Sequence, residues 1–173
     1  MLDHVLAPAQ WMGYLAFVFG VGCFLQRDDR RFKAFMAAEC LCYMLHFALL
    51  GEATAVASSG LSLARSLVAM RTHSPWAAAG FIAAGLALGG ALAGSALAWL
   101  PIASSCIGTA ALFLLRGLRM RVLMLIGTLV WVANNVLGGS IGGTLLELVV
   151  AATNGFTIWR LARARPGPAR RVA

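Results

Sequence analysis

Charged residues are scarce in this sequence. Only 12% of the 173 residues are Asp, Glu, Lys or Arg, about half the share found in a typical soluble domain. A water-soluble fold of this size needs more polar surface than that to cover its exterior. Hydrophobic residues make up 61% of the chain, and the mean hydropathy is +0.84. Lipid is therefore the expected solvent for most of the surface.

Signatures of catalysis and of metal binding are also lacking. No zinc spacing, phosphate loop or nucleotide fingerprint occurs. Cys40 and Cys42 are too close together for a metal motif and point to different helix faces. Ser59 or Ser62 could reach His46 as a nucleophile–base pair, but no motif supports that pairing. We expect no enzyme, no cofactor, no metal and no disulfide framework.

The basic residues that are present occupy particular places. The net charge is +8, yet thirteen of the fourteen Lys and Arg lie at the ends of the apolar runs, between them or beyond them. The positive-inside rule predicts this placement for cytoplasmic connectors. This rule accounts for the positive net charge. We therefore exclude nucleic acid as a partner.

Seven apolar runs predict an all-α membrane protein. A bilayer span needs about 20 residues, and several runs fall slightly short of that length. The N-terminus carries no basic region, so we expect the first run to be a retained helix and not a signal peptide. Residues 162–173 are expected to form a disordered basic cytoplasmic tail. The predicted spans are 6–26, 34–50, 53–70, 76–97, 99–117, 121–138 and 141–161.

The connectors predict the orientation. Lys and Arg occur after the first, third and fifth spans and in the tail, whereas the other three connectors contain neither residue. The basic connectors are therefore expected in the cytoplasm. With seven spans, the N-terminus lies outside the cytoplasm and the C-terminus inside.

The chain also repeats itself at an offset of 88 residues. The alternative is that apolar helices align by chance, but basic and polar positions match as well as apolar ones. The repeat predicts two parallel triple-helix bundles, 6–71 and 99–161, joined by a linker span at 76–97. The matched pairs include Trp11 with Trp99, Gly20 with Gly108, Lys33 with Arg121, Tyr43 with Trp131, His46 with Asn134, and Ser66 with Asn154.

Several segments resemble a known family. The motifs are Phe24–Arg31, Leu45–Gly51 and Arg65–Arg71 in the first half, then Arg119–Arg121, Trp131, Asn135, Gly139–Gly143, Glu147 and Asn154. Over most of residues 11–161 they resemble the YgjV family of bacterial inner membrane proteins, which implies that location here. The family's three-plus-one-plus-three layout is similar to that of SWEET sugar transporters and PnuC vitamin transporters, and more distantly to PQ-loop proteins.

One feature departs from that resemblance. PQ-loop and SWEET proteins carry a hinge proline within the first span of each bundle. Here Pro8 and Pro101 lie at span starts, where proline is easily tolerated. Any bending would have to use glycines such as Gly20 and Gly108, so a SWEET-type rocking mechanism is not implied.

Polar stripes indicate where a solute could bind. Glu39, Tyr43 and His46 share one face of the second span, and residues of the third, sixth and seventh spans form similar stripes. Ionisable groups inside a bilayer are functional candidates by default. The resemblance to SWEET transporters implies that Ser66 and Asn154 occupy the substrate position. We predict a central polar cavity lined by Glu39, Tyr43, His46, Arg65, Ser66, Trp131, Asn134, Asn135, Glu147 and Asn154.

Glu39 and Arg65 lie at similar depths, roughly 8–9 Å from the cytoplasmic ends of their spans by residue counting. We predict that they form an ion pair. Arg65 could instead snorkel to the interface, and the serines of the third span could serve only helix packing. His46 could lie at the outer interface.

The favoured function is a small-solute transporter or facilitator, with the lipid bilayer and an unidentified small polar solute as partners. The alternative is a non-transporting scaffold, assembly factor or ligand receptor on the same fold. The sequence leaves a homo-oligomer open and does not identify the solute.

Overall fold

A computed structural model of the chain describes residues 8–50, 53–92, 96–97, 99–137 and 141–164. Within these ranges the protein consists of seven helices and contains no strand. The helices are α1 (Pro8–Leu25), α2 (Asp29–Leu50), α3 (Ala53–Arg71), α4 (Pro75–Leu92), α5 (Trp99–Leu114), α6 (Gly117–Leu137) and α7 (Ile141–Arg163).

Three of these helices are long and apolar enough to cross a bilayer: α2 over Asp29–Leu49, α6 over Gly117–Leu137 and α7 over Thr144–Arg163. The apolar segments Gln10–Leu25, Pro75–Ala91 and Trp99–Leu114 are shorter. Large hydrophobic side chains are widely exposed on the helices, and Trp76 is 85% exposed. Such a surface fits lipid and not water.

The helices begin and end at different residues from the predicted spans. α2 starts at Asp29 and not at 34, and α6 starts at Gly117 and not at 121. Lys33, Arg119 and Arg121 are therefore helical, because a hydropathy pattern marks the bilayer core and not the first helical turn. α5 ends at Leu114, earlier than predicted, and α7 runs two residues into the predicted tail. Residues 165–173 lie outside the described ranges.

Capping explains two of these boundaries. The Asp28 carboxylate accepts a hydrogen bond from the backbone N–H of Arg31 at 2.8 Å, which stabilises the start of α2. Between α5 and α6 the chain turns at Gly117, whose φ of 56° is left-handed. Glycine adopts this conformation without the steric penalty of a Cβ atom.

Helix packing follows the order of the chain. α2 packs between α1 and α3, and α6 packs between α5 and α7. The two sets of three helices meet where α1 contacts α7 and where α3 contacts α5, while α4 packs on α5. These two contacts are equivalent under the repeat. If α1, α2 and α3 are renamed α5, α6 and α7 and the reverse, the α1–α7 contact becomes the α5–α3 contact.

The buried core lies toward one end of the bundle. We call this the basic end, because the connectors α1–α2, α3–α4 and α5–α6 and the C-terminus of α7 all lie there with their Lys and Arg residues. Phe24, Phe32, Leu112, Phe113 and Met120 form the centre of this core, and all are 7% exposed or less. The polar positions farther along α2, α3 and α7 lie away from this core.

Candidate functional site

The C-terminal end of α1 is closed by side chains from distant helices. The Gln26 amide donates to the carbonyl of Gly22 at 3.0 Å. The carbonyl of Cys23 accepts from Arg121 Nη1 at 3.4 Å, and that of Phe24 accepts from Thr157 Oγ1 at 2.6 Å. The last carbonyls of a helix have no partner within it, so α6 and α7 complete this helix end.

Arg121 is the largest fully buried side chain of the described protein. Its guanidinium carbon lies 3.7 Å from the centre of the Phe32 ring, a cation–π contact between α6 and α2. Its Nε and Nη2 atoms are buried without a hydrogen-bond partner. A buried cation with unpaired donors weakens a fold unless it has another role.

Lys33, the repeat counterpart of Arg121, is also buried, with 3% of its surface exposed. Its ammonium donates to the carbonyl of Ala69 at 2.8 Å, near the C-terminal end of α3. A cation at that end of a helix interacts favourably with the helix dipole. Both residues were expected in solvated connectors, and both instead cap helix ends from within the bundle.

Ser66 and Asn154, the counterparts in α3 and α7, are fully buried. Asn154 Nδ2 donates to the carbonyl of Arg121 at 2.9 Å, while its Oδ1 has no partner. Ser66 Oγ donates to the carbonyl of Ser62 in its own helix at 2.9 Å. The structure therefore places this pair against backbone groups of the bundle.

A cluster of ionisable groups lies farther from the basic end. The Glu39 carboxylate is close to the α1 backbone, because a Cβ built on Gly20 would lie 2.9 Å from Glu39 Oε1. Two charges act on it: repulsion from Glu147 on α7 is the stronger, and attraction to Arg65 on α3 is the weaker. Tyr43 on α2 interacts electrostatically with both carboxylates. The cluster thus combines residues from α2, α3 and α7.

Arg65 does not form the predicted ion pair with Glu39. Its Nη1 donates to the Ser105 carbonyl at 3.4 Å, to Ser105 Oγ at 3.3 Å and to Thr109 Oγ1 at 3.2 Å, all on α5. Counting residues gives a depth along a helix but not the direction of a side chain around it. Since Ser105 lies deeper in the bundle than the end of α5, Arg65 does not snorkel to the basic end either.

The other predicted site residues lie on α2 and α6. The Tyr43 ring stacks on Phe47 at 5.9 Å, and the His46 ring meets Phe47 edge-on at 5.2 Å. His46 also packs against Gly13, where an added Cβ would lie 3.4 Å from the imidazole. Trp131 is 36% exposed, and Asn134 and Asn135 are partly buried on α6.

The sequence prediction missed the roles of two acidic residues. Asp28 caps α2, and Asp29 Oδ2 accepts a hydrogen bond from the backbone N–H of Gly117 at 2.6 Å, at the start of α6. The Asp–Asp–Arg sequence ahead of an apolar run is a capping signal, and it could have identified Asp28. Within the described residues, no three His, Cys, Asp or Glu side chains are grouped as a metal site would need.

Comparison with known proteins gives the same assignment as the sequence motifs. A family model for YgjV, described as a bacterial inner membrane protein, matches residues 7–165. The chain is 38% identical to the inner membrane protein YgjV of Escherichia coli strain K12 over 156 residues, which cover 88% of this chain and 85% of that protein. No solved structure matches the chain. Residues from the first-loop motif to Asn154 all lie within the matched region, and the chain belongs to the YgjV family of bacterial inner membrane proteins.

Proposed function

We propose that this protein moves a small, positively charged solute across the membrane through a site formed by Glu39, Tyr43, Arg65 and Glu147. The observation that carries the proposal is the position of the Glu39 carboxylate, which lies against the α1 backbone at Gly20 and within electrostatic range of Glu147 from the other half of the chain. Two carboxylates that repel each other among apolar helices weaken the fold, so their presence needs a functional reason. A cation between them would relieve the repulsion.

Arg65 shapes the charge of this site. Its Nη1 donates to α5, and its Nε is buried without a partner. The Arg65 guanidinium therefore balances one of the two carboxylates. When both carboxylates are ionised, the site keeps a net negative charge. That balance favours a monovalent cation or a small protonated amine. Such binding involves no covalent step, and the protein we propose is not an enzyme.

The architecture we propose is two parallel triple-helix bundles, α1–α3 and α5–α7, with α4 as the linker. The 88-residue repeat supports it, as do the reciprocal contacts of α1 with α7 and of α3 with α5. All seven helices then span the bilayer, with the N-terminus in the periplasm and the basic end in the cytoplasm. This layout is similar to that of SWEET transporters.

A binding screen followed by a flux measurement tests the function. Purified protein is screened by thermal shift against small amines and inorganic cations, since a ligand that binds the native state raises its stability. A hit should be lost in Glu39→Gln and in Glu147→Gln and retained in Asp28→Asn, which keeps a helix-capping side chain. The hit should then cross liposomes that contain the protein. Thermal shifts that persist in both glutamine variants contradict the proposed site.

A non-transporting scaffold or receptor is the second candidate. It is favoured by Ser66 and Asn154, since both are buried and donate hydrogen bonds to helix carbonyls. A ligand that stabilises the protein but does not cross the liposome membrane would favour the receptor. Flux abolished by Glu39→Gln would favour the transporter.

A further inference from the structure

A basic cavity of about 440 Å³ opens where α5 ends and α6 begins. Three of its lining residues, His73, Arg116 and Arg119, can carry positive charge, and the lining contains no acidic residue. His73 is held in place because its Nδ1 donates to the carbonyl of Phe113, with 3.1 Å between the two atoms. With Nδ1–H donating, Nε2 can donate to an anion only in the imidazolium form, so the two arginines, which are both exposed, are the permanent donors of this cavity.

An apolar groove of about 370 Å³ adjoins this cavity along α6. Leu118, Val122 and Ile126 line it, and it shares Leu115 and Arg119 with the basic cavity. Val122 and Ile126 are 43% and 46% exposed. The residues from 118 to 126 cover about 12 Å along the helix, so the groove runs from the basic end toward the middle of the bundle.

We propose that the cavity and groove together bind one anionic phospholipid. The phosphate would lie among Arg116, Arg119 and the His73 imidazole, where charge-assisted hydrogen bonds to arginine are strong. One acyl chain would follow the groove past Val122 and Ile126. Basic pockets between helices at the cytoplasmic side of a membrane are suited to anionic headgroups. This site is separate from the Glu39 cluster and does not depend on transport.

The charge complementarity is specific to this position. The positive end of the α6 dipole lies beside Arg119, although Asp29 already accepts from the backbone N–H of Gly117 there, so the two arginines supply the main attraction for an anion. The free carbonyls at the C-terminal end of α5 would repel an anion. The Phe113 carbonyl contributes less to this repulsion, because it accepts a hydrogen bond from His73. A zwitterionic lipid would bring its own cation toward the arginines and would bind less well.

Native mass spectrometry of the purified protein with equal amounts of phosphatidylglycerol and phosphatidylcholine tests the proposal. We expect the wild type to retain phosphatidylglycerol preferentially. Arg116→Gln with Arg119→Gln should weaken this binding by about fivefold for each arginine removed. The control, Arg27→Gln with Arg30→Gln, removes one exposed arginine from the α1–α2 connector and one from the first turn of α2, and it should keep the wild-type preference. Equal loss in both double variants, or equal binding of the two lipids to the wild type, overturns the proposal.

A second variant and a competitor test the groove. Val122→Trp fills the groove without changing charge, so it should reduce phosphatidylglycerol binding while the protein stays folded, as checked by its melting temperature. Glycerol 3-phosphate carries only the headgroup chemistry and should compete poorly. Full binding by Val122→Trp, or displacement of the lipid by glycerol 3-phosphate at equal concentration, would mean that the site takes a free phosphate and not a lipid.

Discussion

Asp29 and Gly117 are joined by a hydrogen bond of 2.6 Å from the backbone N–H of Gly117 to Oδ2 of Asp29. The two residues are 88 positions apart, which is the offset of the internal repeat. They are therefore equivalent positions of the two halves. In a two-fold arrangement, equivalent residues approach each other only at the axis. In the two-bundle arrangement that we propose, the two-fold axis would therefore pass through this hydrogen bond at the basic end.

Replacing Asp29 tests the importance of this contact. Asp29→Ala removes the acceptor at the start of α6 and should lower the free energy of unfolding by about 1–2 kcal/mol. Asp29→Asn keeps an oxygen that can accept from Gly117 and should lose much less. Thermal denaturation of the purified protein in detergent compares the variants. If Asp29→Ala melts like the wild type, the contact contributes nothing to stability.

Gly117 tests the connector between α5 and α6. No neighbouring heavy atom lies within 4 Å of a Cβ built at this position, but its φ of 56° is left-handed. Gly117→Ala should therefore lose about 1–2 kcal/mol through backbone conformation alone. Asn tolerates this conformation better than Ala, so Gly117→Asn should lose less. Equal melting temperatures for the two variants would contradict a conformational cause.

The close approach of α1 and α2 at the Glu39 carboxylate can be measured with a double-mutant cycle. A Cβ at position 20 would lie 2.9 Å from Glu39 Oε1, so Gly20→Ala should destabilise the protein by displacing that carboxylate. Glu39→Ala removes the clash, and the two substitutions together should differ from their sum by about 0.5–3 kcal/mol. Additive effects would mean that the two positions do not touch.

Gly85→Ala is the matched control for this cycle. No neighbouring atom lies within 4 Å of an added Cβ there. Alanine is the better helix former, so Gly85→Ala should raise stability by about 0.5–1 kcal/mol. Destabilisation by Gly85→Ala would show that the loss at Gly20 is a general effect of alanine in these helices.

Arg121 should be replaceable by an apolar side chain of similar length. Because two of its nitrogen atoms are buried without partners, Arg121→Met should leave the melting temperature equal or higher. Arg121→Ala leaves a cavity against Phe32 and should lose about 2–5 kcal/mol. If methionine is as damaging as alanine, the guanidinium charge itself stabilises the fold.

Reporter fusions test the proposed orientation. A reporter active only in the cytoplasm should be active when fused after Ala173, and one active only in the periplasm should be active in the connector between α4 and α5. The reason is that all Lys and Arg except Arg65 lie at the basic end or in the C-terminal tail. Periplasmic activity at the C-terminus would reverse the assignment.

The sequence predicted the number and order of the described helices because each is an apolar run bounded by polar or glycine-containing connectors. It also paired Lys33 with Arg121 through the repeat, although it did not predict that both are buried. The direction of Arg65 was not predictable, because depth can be counted along a span but rotation depends on neighbouring helices. The left-handed Gly117 and the contact with Asp29 depend on how the two halves meet, which local sequence does not determine.

The distant caps of α1 have a consequence for the order of assembly during synthesis. Arg121 and Thr157 follow their carbonyl partners, Cys23 and Phe24, by 98 and 133 residues. α1 is therefore synthesised before the two helices that complete its C-terminal end. Until α7 is inserted, the Phe24 carbonyl lacks its Thr157 partner, and this helix end depends on local bonds such as the one from the backbone N–H of Gln26 to the Cys23 carbonyl. A nascent chain stalled before Thr157 would keep an incomplete cap at this end of α1.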